Sequence, residues 1–232
     1  MRPLSVNLLR PLLALAVACT PILGSEKAPV RRLEESTADF SEIMGAPDKG
    51  IPRDLLEKAH CIVIVPGLKK GAFVVGGEYG KGFLSCRNNR AGGWSAPAAV
   101  RMEGGSFGLQ IGGSETDLIM LVMNRRGADK LLTSKFTLGA EGEVAAGPVG
   151  RSSTAETDAL MRAEILSWSR ARGVFAGVAL KGATLRQDLD DNEALYGRKL
   201  DNREIVTAGI TPPPSAARLL ALLGQYPAHV EK

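Results

Sequence analysis

The spacing of apolar residues changes from a helical to a strand-like period near position 60. Before that point, apolar side chains and the half-apolar Thr37 recur three or four residues apart, at Val30, Leu33, Thr37, Phe40 and Met44. This period predicts an amphipathic helix over residues 30–44, and a second short helix is predicted from residue 51 to about residue 60. After that point, apolar residues either run together or alternate with polar ones, which predicts strands.

Glycine and proline divide the strand-like region into short segments. Pro66 and Gly67 predict a turn after the apolar run 61–65. Further strands are predicted at 72–77, 82–87, 94–102, 106–111, 117–124 and 135–146, and as a hairpin over 163–180. The segment 117–124 is mostly apolar, so we expect it in the interior of the sheet.

Helical segments interrupt and follow these strands. The spacing predicts a helix over 126–134 and a helical turn over 189–196. Ser215 is expected to cap a final helix, whose apolar side chains are the leucines at 219, 220, 222 and 223. The 27 glycines suit a turn-rich sheet better than a helical bundle. We therefore predict an α+β fold: a curved, mainly antiparallel sheet, open or barrel-like, with an N-terminal amphipathic helix and a few short packed helices.

The first 24 residues have the organisation of an export signal. Basic Arg2 and Arg10 accompany an apolar stretch, Pro11 to Cys19, that is too short to span a bilayer. The residues leading to Cys19 resemble a lipobox, which precedes a lipid-modified cysteine, and ordinary cleavage near Gly24 is the alternative. We expect export to the periplasm or cell envelope, and both forms of processing remain open.

Charge and cysteine content limit the classes of partner. A formal net charge of +4 is too small to predict nucleic-acid binding, which needs a concentrated basic face. Cys61 and Cys86 lie in strand-like segments and could pair in an oxidising compartment, although two buried free thiols are favoured. No spacing of Cys or His fits a zinc site. We therefore predict no metal and no cofactor.

Several fragments imitate functional motifs without completing them. The glycine-rich run 76–82 lacks the ending and the following helix of a phosphate-binding loop, which favours a hairpin or a bulge. The run 188–192 begins like a calcium loop but has Glu193 and Lys199 where glycine and glutamate are needed, which favours a solvated acidic turn. No serine or histidine has the surroundings of a hydrolase triad. We predict no catalytic residue and no enzyme.

The first helix and one basic turn offer contacts for an anionic surface. An apolar stripe flanked by arginine can lie in a lipid interface. The candidate lipid contacts are Arg31, Arg32, Leu33, Phe40, Lys69 and Lys70. From periodicity alone, packing of the apolar stripe against the sheet is favoured over contact with lipid.

Nine fragments combine into one recognisable pattern. They lie at 51–66, 70–77, 93–99, 104–113, 116–117, 145–151, 167–170, 173–180 and 192–197. In this order they resemble the SYLF domain, a lipid-binding module whose family includes yeast actin-regulating proteins and exported bacterial proteins. The resemblance covers about residues 33–197. Together with the export signal at 1–24, and with a proline-rich spacer and C-terminal helix at 201–232, it favours a chain of three parts whose middle part is a SYLF-like domain at 30–200.

The resemblance implies non-catalytic binding of anionic lipids at a membrane surface, with the first helix and the basic residues as contacts. Eukaryotic members bind phosphoinositides, whereas phosphatidylglycerol or cardiolipin is the more available anion for an exported protein. One alternative is an envelope scaffold that binds protein through the C-terminal helix or a sheet edge, and another is an enzyme with an unfamiliar site. We do not expect actin as a partner, because the chain combines an export signal with no Src-homology-3 domain.

Overall fold

A computed structural model describes residues 27–46, 50–72, 75–87, 93–107, 112–149, 163–171, 174–177, 180 and 182–228. The predicted export signal, with Cys19, lies outside the described residues. The helices are α1 (Lys27–Gly45), α2 (Arg53–Lys58), α3 (Arg125–Leu131), α4 (Leu189–Tyr196), α5 (Asn202–Thr207) and α6 (Ala217–Leu223). None of these described helices is both long and apolar enough to cross a membrane.

Within the described residues, nine strands form one sheet. They are β1 (Cys61–Ala72), β2 (Val75–Cys86), β3 (Ala98–Phe107), β4 (Gly112–Val122), β5 (Lys135–Thr137), β6 (Val144–Ala146), β7 (Ile165–Ala171), β8 (Val174–Gly177) and β9 (Thr184–Gln187). Their order is β5-β9-β3-β2-β1-β4-β7-β6, and β8 also pairs with β7. The pairing is mainly antiparallel, and the sheet curls into a half-barrel. The predicted α+β class with a curved sheet is confirmed.

Both faces of the central strands are buried. Along β1, Cys61, Val63 and Val65 enter one apolar cluster, while Ile62 and Ile64 enter another. Helices α1, α2 and α6 cover the second face, which we call the helix face, and α3 and α5 contribute to the first cluster. Because successive residues of a strand point to opposite faces, burial on both sides explains why this run is apolar without interruption.

The first strand does not end at the predicted turn. β1 continues through Pro66 and Gly67 to Ala72, and its register against β2 shifts between Ile64 and Lys69. The two residues therefore form a bulge, and the prediction of a turn is wrong. A bulge inserts extra residues into one strand without ending the pairing, so the glycine and proline signals that normally mark a turn are present without one.

Two glycines of β2 fit against this bulge. A Cβ atom at Gly82 would lie 1.9 Å from the carbonyl oxygen of Ile64, and one at Gly80 would lie 2.9 Å from Cδ1 of Leu68. Any side chain at these positions would collide with β1. The glycine-rich run 76–82 is therefore strand that faces a bulge, which confirms the interpretation favoured over a phosphate-binding loop.

Cys61 and Cys86 stand directly opposite each other in the pairing of β1 with β2. They form a disulfide, so the favoured prediction of two free thiols is wrong. The sequence could not decide the question, because the bulge at residues 66–67 determines which residues of the two strands face each other.

The single strand predicted at 135–146 is wrong, because β5 and β6 are separate strands at opposite ends of the sheet, and the strands predicted at 72–77 and 82–87 are mostly parts of one strand, β2. Several other predicted elements are confirmed. Helices α1, α3 and α4 form where the periodicity places them, and β7 pairs with β8 as the predicted hairpin. The strand predicted at 117–124 is the apolar half of β4, which lies between β1 and β7. Ser215 does not cap α6: it lies in a 3₁₀ turn (Pro214–Ala216) that precedes the helix.

Candidate functional site

Helix α1 lies on the helix face with its apolar stripe toward the sheet. Leu33 and Phe40 are 0% and 1% exposed, so packing against the sheet, which periodicity favoured, is confirmed. In this conformation both side chains are withdrawn from the surface, so neither of these two candidate lipid contacts is accessible. Arg31 is exposed and pairs with Glu35 of the same helix at 3.3 Å. Arg32 lies largely covered between α1 and α4.

Arg32 belongs to an ion cluster between α1, β2 and α4, which we call the Arg32 cluster. Its guanidinium pairs with Asp191. Lys81 Nζ lies 2.7 Å from Asp188 Oδ2 and 3.2 Å from Asp191 Oδ1. Burial disfavours the charged form of Lys81, but the two aspartates outweigh burial and raise its pKa. Asp188 is buried and caps α4, so the prediction of a solvated acidic turn is wrong.

A second cluster, which we call the Arg170 cluster, holds the other half of α1. Arg170 Nη2 lies 2.5 Å from Asp39 Oδ1 and 2.5 Å from Asp117 Oδ2, and Nη1 pairs with Glu42. Asp117 Oδ1 accepts a hydrogen bond from the amide of Gly67 at 2.9 Å. The cluster therefore joins α1, β4 and β7 to the bulge of β1.

Three carboxylates share one guanidinium in the Arg170 cluster, and Asp39 is the most buried of them. Burial, followed by the nearby carboxylate of Asp117, raises the pKa of Asp39 to about 7. Glu42 and Glu35 act in the same direction, and Arg170 opposes them. Asp39 is therefore partly protonated near neutral pH.

Four neighbouring strands, β3, β2, β1 and β4, end together on the far side of the bulge. Lys69 is exposed there and stands in register between Tyr79 and Glu115. The side chain of Lys70 is 40% exposed and lies 3.3 Å from Glu78. Adjacent residues of a strand point to opposite faces. Lys69 is therefore on the helix face and Lys70 on the other face.

A row of four glycines crosses the same strands two residues beyond Lys69. Gly105 pairs with Gly77, Gly77 with Gly71, and Gly71 with Gly113, and all four are exposed. No atom of the described chain lies within 4 Å of a Cβ built at Gly71 or Gly105. Unlike the glycines at the bulge, these are not required by internal packing.

Glycine weakens a strand, and it often marks a place where another molecule approaches the backbone closely. The row therefore exposes backbone that is free of side chains to an external partner. We call the four glycines, together with Lys69, Lys70 and Tyr79, the strand-end surface. Tyr79, 49% exposed, adds an aromatic ring with a polar hydroxyl, the kind of side chain that is enriched at membrane interfaces.

The structure does not gather the six predicted lipid contacts into one surface. Lys69 and Lys70 lie at the strand-end surface, and Arg31 lies on the outer side of α1. Arg32, Leu33 and Phe40 lie between α1 and the rest of the fold. The glycine row and the two ion clusters were missed by the sequence analysis. Only the strand register and the position of α1 reveal them.

A polar pocket beside α3 contains paired charges rather than free ones. Lys130 Nζ lies 3.0 Å from Glu164 Oε2 and donates a hydrogen bond to the carbonyl of Glu141 at 2.6 Å. Arg126 lies 3.5 Å from the same Glu164 carboxylate. Among the described residues, no group of histidines, cysteines and carboxylates could hold a metal ion.

Comparison with known proteins identifies relatives over most of the chain. Residues 103–226 match the family model described as "Ysc84: Las17-binding protein actin regulator". LAS seventeen-binding protein 3 of Saccharomyces cerevisiae is 32% identical over 210 residues, which cover 88% of this chain and 45% of the relative. SH3 domain-containing YSC84-like protein 1 of Bos taurus is 29% identical over 209 residues, which cover 89% of this chain and 61% of the relative. The chain thus spans about half the length of the curated relatives it matches.

The comparisons correct one prediction and confirm another. The expectation that actin is not a partner is wrong, since relatives carry the name LAS seventeen-binding protein and the family is described as an actin regulator. The resemblance to the SYLF domain is confirmed. The chain belongs to the Ysc84 (SYLF) family, whose description is Las17-binding protein actin regulator.

Proposed function

We propose that this protein is a non-catalytic module that binds anionic phospholipid headgroups at a membrane surface through the strand-end surface. The observation that carries the proposal is the position of Lys69 and Lys70 on opposite faces of β1, beside an exposed row of glycines. The ligand class is an anionic headgroup, such as phosphatidylglycerol or a phosphoinositide.

The alternation of strand side chains determines the direction of approach. A flat bilayer lying against one face of the sheet would meet only one of the two lysines. A bilayer that meets the strands end-on can contact Lys69 and Lys70 together, and the glycine row lets headgroups come close to the backbone. Each lysine near an anionic membrane contributes about 1 kcal/mol, so the pair supplies a weak and salt-sensitive attraction.

The outer side of α1 adds little to this attraction in the docked conformation. Its exposed charges include Lys27 and Arg31, but Glu34, Glu35 and Glu42 are exposed beside them. Arg31 also pairs with one of these glutamates. Of the predicted basic contacts, the proposal therefore relies on the two lysines of the strand-end surface.

Replacing both lysines with glutamine is expected to weaken binding to vesicles of phosphatidylglycerol and phosphatidylcholine by up to about 30-fold, since two favourable charges are lost, of which Lys70 is partly offset by Glu78 at 3.3 Å. Flotation measures this directly. The matched control is K58Q/K199Q, which removes two exposed lysines elsewhere and is expected to bind like the wild type. An equal loss of affinity in both double variants would contradict the proposal. So would binding that does not depend on the salt concentration or on the anionic lipid.

The glycine row provides a test in which stability and binding move in opposite directions. In G71T/G105T, threonine enters open space in two strands, so the free energy of unfolding is expected to rise by about 1–2 kcal/mol. The added side chains cover the exposed backbone, so vesicle binding is expected to fall. Urea denaturation and flotation of the same sample measure the two quantities. Unchanged binding in a stabilised variant would remove the glycine row from the site.

The proposal also holds that the protein works after export, in the periplasm or cell envelope, with lipidation of Cys19 as one form of processing. The disulfide between Cys61 and Cys86 supports this compartment, because disulfides persist in oxidising environments and are rare in the cytosol. Thiol labelling of denatured protein from fractionated cells tests it, and two free thiols at these positions would count against export.

A second candidate function is binding to a protein partner of the actin-regulatory kind. The family description and the names of the yeast relatives favour it. In this conformation Leu219 and Leu223 of α6 are buried, so the apolar side of that helix is occupied by the protein's own core. Co-sedimentation with purified actin filaments in the absence of lipid tests this candidate. Recovery of the protein in the supernatant at every filament concentration would contradict it.

A further inference from the structure

Three basic side chains stand in a row across β3, β9 and β5, the three strands at one edge of the sheet. Arg101 of β3 pairs in register with Arg186 of β9, and Arg186 pairs in register with Lys135 of β5. The residues on either side of them in these strands enter the first apolar cluster. Because adjacent residues of a strand point to opposite faces, all three basic residues lie on the helix face. We call them the Arg186 row.

The Arg186 row is accessible to solvent. The side chains of Arg101 and Arg186 are 37% and 40% exposed, and Lys135 is also exposed. Lys81 of β2 continues the line in register with Arg101, but the two aspartates of the Arg32 cluster pair with it. The Arg186 row is therefore the part of a longer basic line that the acidic residues beside α4 do not neutralise.

The charges of the Arg186 row are not balanced by the fold. Like charges that face each other across strands repel and destabilise a sheet. Among the described residues, the ion pairs of the row are made by Glu103, whose Oε1 lies 3.0 Å from Arg101 Nε and whose Oε2 lies 3.4 Å from Arg186 Nε. Within the same residues, neither Nε atom has a hydrogen-bond partner. One carboxylate thus serves three cations, and internal packing does not explain the row.

We infer that the Arg186 row is a docking surface for an acidic segment of a partner protein. A guanidinium binds a carboxylate through two parallel hydrogen bonds, which makes arginine the usual partner of carboxylates at interfaces. Neighbouring strands lie about 4.8 Å apart, so the row is about 10 Å long. Along one side of an extended peptide, side chains recur about every 7 Å. Carboxylates on alternate residues of such a segment can therefore meet the row.

The position of the row favours a protein segment over a membrane or a free phosphate. Arg101 and Gly105 are separated by about 13 Å along β3, so a bilayer at the strand-end surface leaves the row uncovered. A single phosphate group is shorter than the row and cannot contact all three cations. The inference goes beyond lipid binding and does not depend on it.

Fluorescence anisotropy with a labelled peptide of alternating glutamate and threonine tests the inference on the full chain. The wild type is expected to bind this peptide in a salt-dependent manner and not to bind the same peptide with glutamine in place of glutamate. R101Q/R186Q is expected to weaken binding by about tenfold, because two guanidiniums are lost. The matched control, R198Q/R218Q, removes two exposed arginines elsewhere and is expected to bind like the wild type. Equal binding of the two peptides, or equal affinity of the two double variants, would overturn the inference.

R186T keeps a loss of binding apart from a loss of folding. It removes the central cation of the row and places a β-branched residue in β9, so the urea midpoint is not expected to fall. The affinity for the glutamate peptide is expected to fall, because Arg101 and Lys135 then act without the cation between them. A folded R186T that binds the peptide as tightly as the wild type would also overturn the inference.

Two further probes separate this inference from the proposed function. Flotation of R101Q/R186Q with phosphatidylglycerol vesicles is expected to match that of R198Q/R218Q. If R101Q/R186Q loses affinity for vesicles or for tripolyphosphate but not for the peptide, the row is a lipid or phosphate site and the inference is overturned. If the wild type binds the peptide but no vesicle, the proposed function fails and the docking surface stands.

Discussion

Replacing Gly82 with alanine is expected to lower the free energy of unfolding by about 3 kcal/mol or more. The new methyl carbon would lie 1.9 Å from the Ile64 carbonyl oxygen and 2.7 Å from Cα of Val65. Both neighbours are backbone atoms in the centre of the sheet, so neither can rotate away as a side chain could. Overpacking a well-ordered core is destabilising by about 1–3 kcal/mol, and collisions with backbone exceed the usual range.

The matched control for this change is G71A in the adjacent strand. A Cβ at Gly71 meets no described atom within 4 Å, so G71A is expected to leave stability unchanged or slightly higher. Urea denaturation of both variants gives the comparison. A G82A protein as stable as G71A would contradict the close approach of β1 and β2 at the bulge.

Replacing Arg87 with leucine is expected to detach the C-terminal segment and to lower the free energy of unfolding by about 3 kcal/mol. Arg87 donates hydrogen bonds to three carbonyls, those of Tyr226 at 2.7 Å, Leu56 at 3.0 Å and Ala59 at 3.3 Å. Its guanidinium also stacks over the ring of Trp94 at 4.2 Å. Leucine would leave the carbonyls without their charged donor, and unpaired buried acceptors are costly.

Limited proteolysis combined with denaturation measures this effect. Cleavage near α6 is expected to become faster in R87L, because the bond to the Tyr226 carbonyl attaches the segment after α6 to the residue that follows β2. The control is R198L, at an exposed arginine in the turn after α4, which is expected to change neither readout. Equal resistance of R87L and the wild type would show that residues 217–228 do not depend on this contact.

The parts of the fold that follow local patterns could be predicted from the sequence. The helical spacing of Leu33 and Phe40 identified α1 and its buried side, and the alternation after Ala163 identified the β7–β8 hairpin. The uninterrupted run beginning at Cys61 indicated a strand buried on both faces. In each case the spacing of apolar residues within the segment is enough to predict the element and its buried side.

The features that depend on strand register could not be predicted. The bulge at Pro66 and Gly67 sets which residues of β1 face β2, and only that register brings Cys61 opposite Cys86. The glycine row consists of four residues from four strands, so no single segment reveals it. The Arg32 cluster joins residues 159 positions apart in sequence, so no local pattern could predict their contact.

Lipid binding at the strand-end surface is compatible with membership of the Ysc84 family. The strand-end surface lies at the end of β1 and β2 opposite the Arg87 contacts that hold the C-terminal helix, so lipid contact there leaves that part of the fold unchanged. A protein partner of the actin-regulatory kind would therefore compete with lipid only if it bound the strand ends. Flotation in the presence of actin filaments distinguishes competition from simultaneous binding.

Lysine footprinting tests end-on contact with the membrane most directly. The native protein is treated with a water-soluble acetylating reagent, with and without phosphatidylglycerol vesicles, and each lysine is quantified by mass spectrometry. We expect acetylation of Lys69 and Lys70 to fall together when vesicles are added, while Lys58 and Lys199, which lie outside the strand-end surface, keep their rates. Bound protein in which Lys69 and Lys70 remain as reactive as in solution would contradict the proposed surface.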